Sequence, residues 1–323
     1  MLPIKIKLPE HFLDEEVRCD YTISSKMKEL WAIELDLLSE IERVCKKYKL
    51  TYWANGGTML GAVRHHGFIP WDDDIDIMMP REDYNKFCEL ANQEFAEPYF
   101  LQTEYSDPSS FRTHAQLRNS ATAGILMEEI NLNRKFNQGV FLDIFPLDRI
   151  PDKKDDFEQL KAEARKEYRK AAFFHDSFQS TFIISRHPKF FLRNTIQFLL
   201  KPISKAFYKV LVQNPYHRYE EILSRYDDTD TKEFSLLIFD FASVHPRLRS
   251  DFEKTVYLDF EFTKIPVPYN YEDNLTRVFG DWHKFVKGAS MHGGLYFDAH
   301  RSYKEVLKDI KSGKIDIKKY LNE

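Results

Sequence analysis

The sequence predicts an α+β protein in which a mixed β-sheet flanked by helices is followed by a mostly helical C-terminal part. Three observations support this fold class. Apolar residues recur at helical spacing over residues 25–48. Short runs of β-branched and aromatic residues alternate with helical patterns as far as residue 150. Strand-like runs become rarer beyond that point, so we divide the chain into a core at 1–150 and a second part at 151–323.

The individual elements follow from local signals along the chain. Ser24 or Ser25 can cap the first helix, and Pro80 opens a later one whose first turn carries Glu82 and Asp83. Strands are predicted at 51–54, 74–79, 99–104, 112–119, 139–146 and 236–239. Helices are predicted at 25–48, 58–64, after Pro80, at 153–174, at 182–212 with a break at Pro202, and at 272–279.

Composition narrows the functional classes. The net charge of −4 argues against a general nucleic-acid binder. Three cysteines without the spacing of a zinc site are typical of a reducing compartment. The first residues lack the apolar region of a signal peptide, and no window reaches the ~18 apolar residues of a spanning helix. We therefore expect a cytoplasmic protein.

Four aspartates surround the start of the strand predicted at 74–79. In an extended strand Asp72, Asp74 and Asp76 share one face, and Asp73 points away. Carboxylates gathered at the end of an apolar strand repel each other and lose hydration. A solvated acidic turn is the alternative, but the apolar residues that follow favour a buried strand. The pattern therefore predicts a site for Mg²⁺ or Mn²⁺.

A glycine-rich turn precedes this cluster. Gly56-Gly57-Thr58 lies where a strand passes into a helix, so its backbone N–H groups can cradle a phosphate. Arg64 is a candidate phosphate contact. Asp143, a lone acid within an apolar strand, is the candidate third carboxylate, whereas Asp148 is expected to cap a turn. Walker A and kinase signatures are absent, so the combination predicts another form of metal-dependent phosphate transfer.

Residues 52–77, YWANGGTMLGAVRHHGFIPWDDDIDI, resemble the signature block of the LicD family. Weaker similarity appears at 116–122, 140–148 and 266–282. The last of these ends in Phe279-Gly280-Asp281-Trp282, where the family has Tyr-Gly-Asp-Trp. The chain also departs from the family at Ala121, where a basic residue is common. The resemblance covers about 25–150 and 255–295.

This resemblance implies a nucleotidyltransferase-type fold, related to the fukutin proteins. It also implies transfer of phosphocholine from CDP-choline to a hydroxyl of a cell-surface glycan, such as a teichoic acid precursor. Asp143 would complete the metal site or act as general base. Within the closing segment 266–294, the block from Asp281-Trp282 to His292-Gly293-Gly294 would cover the nucleotide or the acceptor, and His292 is a candidate for acid–base work. The family's site residues correspond here to Asp74, Asp76 and Asp143 for the metal, and to Gly56, Gly57, Thr58, Arg64 and Arg118 for the donor phosphates.

The segment 182–212 is both basic and apolar. No acidic residue occurs from Ser177 to Tyr219. One interpretation is a helical hairpin packed on the core with a solvated basic rim. The other is an interfacial anchor with apolar side chains in lipid and cations at anionic headgroups. The resemblance favours the anchor, because the family's acceptors are often built on a membrane lipid carrier, and the protein would then lie at the inner face of the plasma membrane.

The sequence is compatible with several functions. The payload can be ribitol-phosphate, glycerol-phosphate or phosphoethanolamine instead of phosphocholine, or the reaction can be nucleotidyl transfer to a sugar. A choline site would need an aromatic cage, but 17 Tyr and 4 Trp make a simple count uninformative. A non-catalytic scaffold is disfavoured, because the aspartates of the predicted metal site are all present.

Overall fold

The computed structural model describes residues 1–108, 110–127, 135–180, 188–238, 245–286 and 294–317. Its strands are β1 Glu16–Arg18, β2 Tyr21–Ile23, β3 Trp53–Ala54, β4 Asp76–Pro80, β5 Tyr99–Gln102, β6 Ala115–Asn119, β7 Ala123–Leu126, β8 Val140–Ile150, β9 Glu233–Ser235, β10 Arg247–Leu248, β11 Thr255–Phe260, β12 Thr263–Pro268 and β13 Leu295–Asp298. Its helices are α1 Ser25–Tyr48, α2 Gly56–His65, α3 Arg81–Glu94, α4 Lys154–Gln179, α5 Pro188–Ala206, α6 Asn214–Leu223, α7 Tyr271–Phe279 and α8 Tyr303–Lys311.

The main sheet is mixed, which confirms the predicted α+β class. β8 lies at its centre, parallel to β4 and antiparallel to β6 and β9. The sheet continues outward from these strands to β3, β5 and β10. Nearly every residue of β8 is buried, as expected for an almost continuous apolar run covered on both faces. An acidic residue within this strand is therefore enclosed by the sheet.

Helix α1 packs its apolar face against this sheet and against the segment that follows α2. Its N-cap is Ser24, whose hydroxyl accepts the Met27 N–H at 3.2 Å. Trp31, in the middle of the helix, stacks on Phe68 with ring centroids 4.5 Å apart. These contacts hold α1 beside the acidic residues that precede β4.

The chain beyond residue 150 supplies both a helical layer and strands. α4 packs against α5 and α6, and its apolar residues form a core with tyrosines of α6. β9 pairs with the end of β8, and β13 pairs with β7. The division at residue 150 falls at the end of β8 and stays a prediction. The strand predicted at 236–239 is wrong over residues 236–238, since the strand is Glu233–Ser235 and buried apolar residues follow it; residue 239 lies outside the described residues.

Helix α5 runs through Pro202, so the predicted break there is wrong. Proline removes one intrahelical hydrogen bond, and Pro202 lies on the exposed side of the helix, where water can replace that bond. The regular helix ends at Ala206, and a π-helical stretch, Lys209–Gln213, leads into α6. None of the helices in the described part of the chain has the length and apolar content to cross a membrane.

A buried ion pair joins α3 to β8. The Arg81 guanidinium donates to both carboxylate oxygens of Asp148, at 2.6 and 3.0 Å, and both side chains are buried. Asp148 therefore pairs with a cation from another element, and the prediction that it caps a turn is wrong. Because the pair lies at the end of β8, it ties the helix after β4 to the strand beside β4.

We predict that Arg81→Met lowers the free energy of unfolding by about 3–5 kcal/mol, because Asp148 is left charged and buried without a partner. Urea unfolding followed by circular dichroism measures the loss. The double variant Arg81→Met/Asp148→Leu should recover most of it. Lys86→Met, which removes an exposed pair with Glu89 on the same helix, should cost less than about 1 kcal/mol. If Arg81→Met were as stable as Lys86→Met, this would contradict the role given to the Arg81–Asp148 pair.

Candidate active site

The acidic residues before β4 lie in a loop. β4 begins at Asp76, and Asp72, Asp73 and Asp74, here called the acidic loop, precede it. A carboxylate oxygen from each of the three lies within 4.8 Å of the others. The prediction that Asp73 points away is therefore wrong, because the alternation of an extended strand does not apply to a loop. The structure brings all three carboxylates to one place.

Parallel pairing of β4 and β8 adds two more carboxylates. Asp76 and Asp143 are directly paired in the register of the two strands. The Asp143 carboxylate accepts a hydrogen bond from Gln116 Nε2 at 2.6 Å, and His114 Nε2 lies 3.0 Å from the same oxygen. Asp143, proposed from its position in an apolar strand, thus lies beside Asp76, and it is held by Gln116 of β6 and by His114, the residue before this strand.

The negative charges of these carboxylates repel one another. Burial raises the pKa of Asp72 to about 8, and the nearby Asp74 and Asp73 act in the same direction. Burial also raises the pKa of Asp76 well above the usual range, with further contributions from Asp74 and Asp143. A divalent cation would relieve this repulsion, and hard carboxylate oxygens are suitable donors for Mg²⁺ or Mn²⁺. The donor set therefore fits the predicted metal.

Asp143 differs from its neighbours. Burial alone would raise its pKa, but the charge of His114, its hydrogen bond, and the nearby Arg112 hold the pKa below the usual carboxyl range. Asp143 thus remains ionised more readily than Asp72 or Asp76. His114 was not predicted from the sequence, although its place two residues before Gln116 on the approach to β6 puts it on the same side.

Sequence reasoning also missed Glu34. This residue of α1 is 1 % exposed, and its Oε2 atom has no hydrogen-bond partner within the described part of the chain. Burial and the charges of the acidic loop raise its pKa well above the usual range. One helical turn earlier, the Trp31 indole N–H donates to the Asp72 carbonyl at 3.0 Å, which places this face of α1 against the loop. An acid within the apolar face of α1 was the signal in the sequence that could have revealed Glu34.

The glycine pair, Gly56 and Gly57, lies against the carboxylates. A Cβ atom on Gly57 would come within 2.7 Å of Asp72 Oδ2, and one on Gly56 would lie 3.6 Å from Asp76 Oδ2. Gly56 also has φ +49°, which disfavours a side chain. The N-terminus of α2 starts at this pair, so its backbone N–H groups are beside the acidic cluster. The Thr58 hydroxyl accepts the Asp76 N–H at 2.8 Å and thereby anchors the start of β4.

The two arginines predicted to bind phosphate lie elsewhere. Arg64 is in the last turn of α2, about 10 Å along the helix axis from the glycine pair. Its guanidinium donates to the Trp282 carbonyl at 3.1 Å and lies 5.4 Å from the centre of the Phe285 ring. The structure thus places Arg64 against the segment after α7, away from the start of α2.

Arg118 is fully buried in β6. It donates to the Gln102 side chain and the Gly139 carbonyl, both at 2.7 Å, and to Gln116 Oε1. This enclosure does not fit the predicted contact with a diphosphate. Because Gln116 in turn donates to Asp143, Arg118 orients the amide that holds a carboxylate of the site.

A buried cation that the sequence analysis overlooked lies near the glycine pair. Arg247 of β10 donates to the Asn55 side chain at 3.1 Å, and Asn55 immediately precedes α2. The β9–β10 hairpin brings it there from a part of the chain about 190 residues away in sequence. Since β10 has only two residues, local patterns did not identify it.

Aromatic side chains border the acidic loop on one side. Trp71, the residue before Asp72, makes edge contacts with Phe285 at 5.2 Å and with Tyr21 at 5.9 Å between ring centroids. Phe285 comes from the predicted closing segment at 266–294, which therefore reaches the site. His292 of that segment lies outside the described residues.

The chain is similar in sequence to a known family domain and to known transferases. Residues 49–181 match the LicD/FKTN/FKRP nucleotidyltransferase domain. The chain is 25% identical over 262 residues to the lipopolysaccharide cholinephosphotransferase LicD of Haemophilus influenzae, covering 80% of this chain and 91% of that protein. It is also 44% identical over 43 residues to the ribitol 5-phosphate transferase FKRP of mouse and of human, a match of 13% of this chain and 9% of those proteins.

We predict that Glu34→Gln raises the melting temperature in EDTA and reduces the further rise that Mg²⁺ produces. A neutral amide can donate to the acidic loop and removes one buried carboxyl, a change of about 1–3 kcal/mol. Differential scanning fluorimetry measures both effects. Glu42→Gln is the matched control, because Glu42 lies on the same helix in a surface pair with Lys46. If Glu34→Gln melted below the parent protein in EDTA, Glu34 would not belong to the repelling cluster.

Proposed function

Because this chain carries a LicD-family nucleotidyltransferase domain at residues 49–181, we propose that it is a phosphotransferase that moves a phospho-alcohol group to a hydroxyl of a glycan. Our first candidate is phosphocholine, taken from CDP-choline and placed on a cell-surface glycan precursor such as a teichoic acid. The observation that carries the proposal is the meeting of five aspartates with the glycine pair at the N-terminus of α2.

The aspartates have different proposed roles at the metal. Asp74, Asp76 and Asp143 would hold Mg²⁺ or Mn²⁺, and Asp72 and Asp73 lie within reach of the same site. When bound, the ion would neutralise charge on the phosphate oxygens of the donor. The lowered pKa of Asp143 makes it a weak proton acceptor, which favours its role as a ligand over that of general base.

The start of α2 would position the donor. Backbone N–H groups of the glycine pair and the positive end of the helix dipole favour a diphosphate at that point. Side chains there would occupy the space, since a Cβ on Gly57 would meet Asp72. Arg247, held by Asn55, supplies positive charge nearby. The chain thus offers anion-binding groups on one side of the phosphates and a cation site on the other.

The aromatic border favours choline over the alternative alcohols. A quaternary ammonium is attracted to aromatic faces, and Trp71, Tyr21 and Phe285 lie beside the acidic loop. Arg64 already lies over Phe285, which leaves the indole of Trp71 and the phenol of Tyr21 as the proposed contacts. Ribitol-phosphate, glycerol-phosphate and phosphoethanolamine lack a quaternary ammonium and gain less from these rings. Nucleotidyl transfer to a sugar remains the second candidate, because the same carboxylates and glycines would serve it.

We predict that CDP-choline with Mg²⁺ raises the melting temperature more than CDP-ribitol, CDP-glycerol, CDP-ethanolamine or nucleoside triphosphates do, since ligands that bind the native state stabilise it. Trp71→Leu should weaken CDP-choline binding by about 3- to 30-fold through the lost cation–π contact and leave CDP-glycerol binding nearly unchanged.

Phe262→Leu is the matched control, because Phe262 is an exposed aromatic residue that packs on Phe12 and is no part of the aromatic border. Equal losses for CDP-choline and CDP-glycerol in Trp71→Leu would overturn the choline assignment. Stabilisation by a nucleoside triphosphate without any by CDP-alcohols would favour nucleotidyl transfer instead.

A further inference from the structure

Helix α5 is packed with its polar face inward. Its buried side chains include Gln197 and Ser204, and its neighbour is α4. The Ser180 hydroxyl at the end of α4 donates to the Gln197 carbonyl, and Lys201 donates to the Ser180 carbonyl at 2.8 Å. The helix is therefore attached to the protein through polar contacts.

The exposed side of the helix carries a row of apolar side chains. Leu192, Ile196, Leu199 and Ile203 follow one another at intervals of three and four residues, so they share one side of the helix. Each is 41–67% exposed. Phe207, 57% exposed, extends the row, which reaches about 22 Å along the helix. We call these five residues the apolar stripe.

The exposure of these apolar side chains indicates that another molecule covers them. Single apolar side chains on a surface are ordinary, but a contiguous apolar row marks an interaction surface. Phe191, Phe198 and Val210 beside the stripe are also exposed, which widens the apolar surface. A helix that served only to cover the core would place these residues inward.

The positive charge around the apolar stripe indicates which kind of partner covers it. The chain has no acidic residue from Ser177 to Tyr219. Lys205 and Lys209 are exposed within this region, whereas Arg193 pairs with Asp176. Two copies of this face would bring like charges together, whereas anionic lipid headgroups would attract it. A helix with an exposed apolar row and exposed lysines on the adjoining surface is suited to lie in the interface of a bilayer.

We propose that the apolar stripe docks the protein on an anionic lipid surface, with α5 lying in the plane of the interface and the two lysines against the headgroups. The apolar side chains enter the boundary between headgroups and acyl chains, and no segment crosses the membrane. This proposal does not depend on the phosphotransferase activity. It would keep the protein beside acceptors built on a lipid carrier.

Co-sedimentation of the full chain with vesicles tests the proposal. The parent protein should bind vesicles of phosphatidylcholine and phosphatidylglycerol, bind pure phosphatidylcholine much less, and lose affinity at high salt. Leu199→Gln/Ile203→Gln should weaken binding by about tenfold or more, because two exposed side chains no longer enter the lipid. Lys205→Gln/Lys209→Gln should weaken binding to anionic vesicles and reduce its dependence on salt.

Val17→Gln/Tyr257→Gln is the matched control, because both residues are exposed to a similar degree and lie on β1 and β11. Circular dichroism confirms that all variants remain folded. The proposal is overturned if the parent protein fails to bind anionic vesicles, or if the stripe variant binds as well as the control. It is equally overturned if light scattering shows a dimer that the stripe variant dissociates while vesicle binding is absent, since the occupant is then a second copy.

Discussion

The mutual repulsion of buried carboxylates where β4 meets β8 is the constraint on which the site depends. Parallel pairing places Asp76 beside Asp143, and the acidic loop and Glu34 add further acids around them. Left alone, such a group must take up protons or bind a cation. Burial, together with the charges of Asp74 and Asp73, raises the pKa of Asp72 to about 8. Keeping so many like charges in one buried place lowers the stability of the fold.

The surrounding structure holds the carboxylates in spite of this repulsion. The Trp31 indole fixes the backbone of Asp72, the Thr58 hydroxyl fixes the backbone of Asp76, and Gln116 holds the carboxylate of Asp143. These three contacts come from α1, α2 and β6. The pair of Arg81 with Asp148 adds a fourth restraint, because it joins the helix after β4 to β8. Function and fold therefore depend on the same junction of elements.

Much of this arrangement could be predicted from the sequence, and the failures have identifiable causes. The apolar run around Asp143 showed that this acid lies in a buried strand, but local patterns contain no information on pairing between β4 and β8. Asp73 was misplaced because a strand pattern was extended into a loop. The resemblance assigned Arg118 to the donor phosphates, and its position in the sequence gave no sign that β6 lies between β5 and β8.

Other residues were missed because their elements are short or distant. β9 and β10 have three and two residues, too few for a periodic signal, so Arg247 was not associated with the glycine pair. Glu34 is different, because an acid within the apolar face of a long helix was visible in the sequence. By contrast, the basic apolar character of 182–212 was evident, but only packing could show that the apolar face of α5 points outward.

Proton release on metal binding tests the central claim most directly. Burial and repulsion raise the pKa of Asp72 to about 8, so the metal-free protein at pH 7 holds protons that a cation must displace, and the raised pKa values of Asp76 and Glu34 act in the same direction. Calorimetric titration with Mn²⁺ in two buffers of different ionisation enthalpy measures their number. The account predicts saturable binding that releases protons at pH 7, and a loss of both in Asp76→Asn. Absence of binding, or binding without proton release, would contradict it.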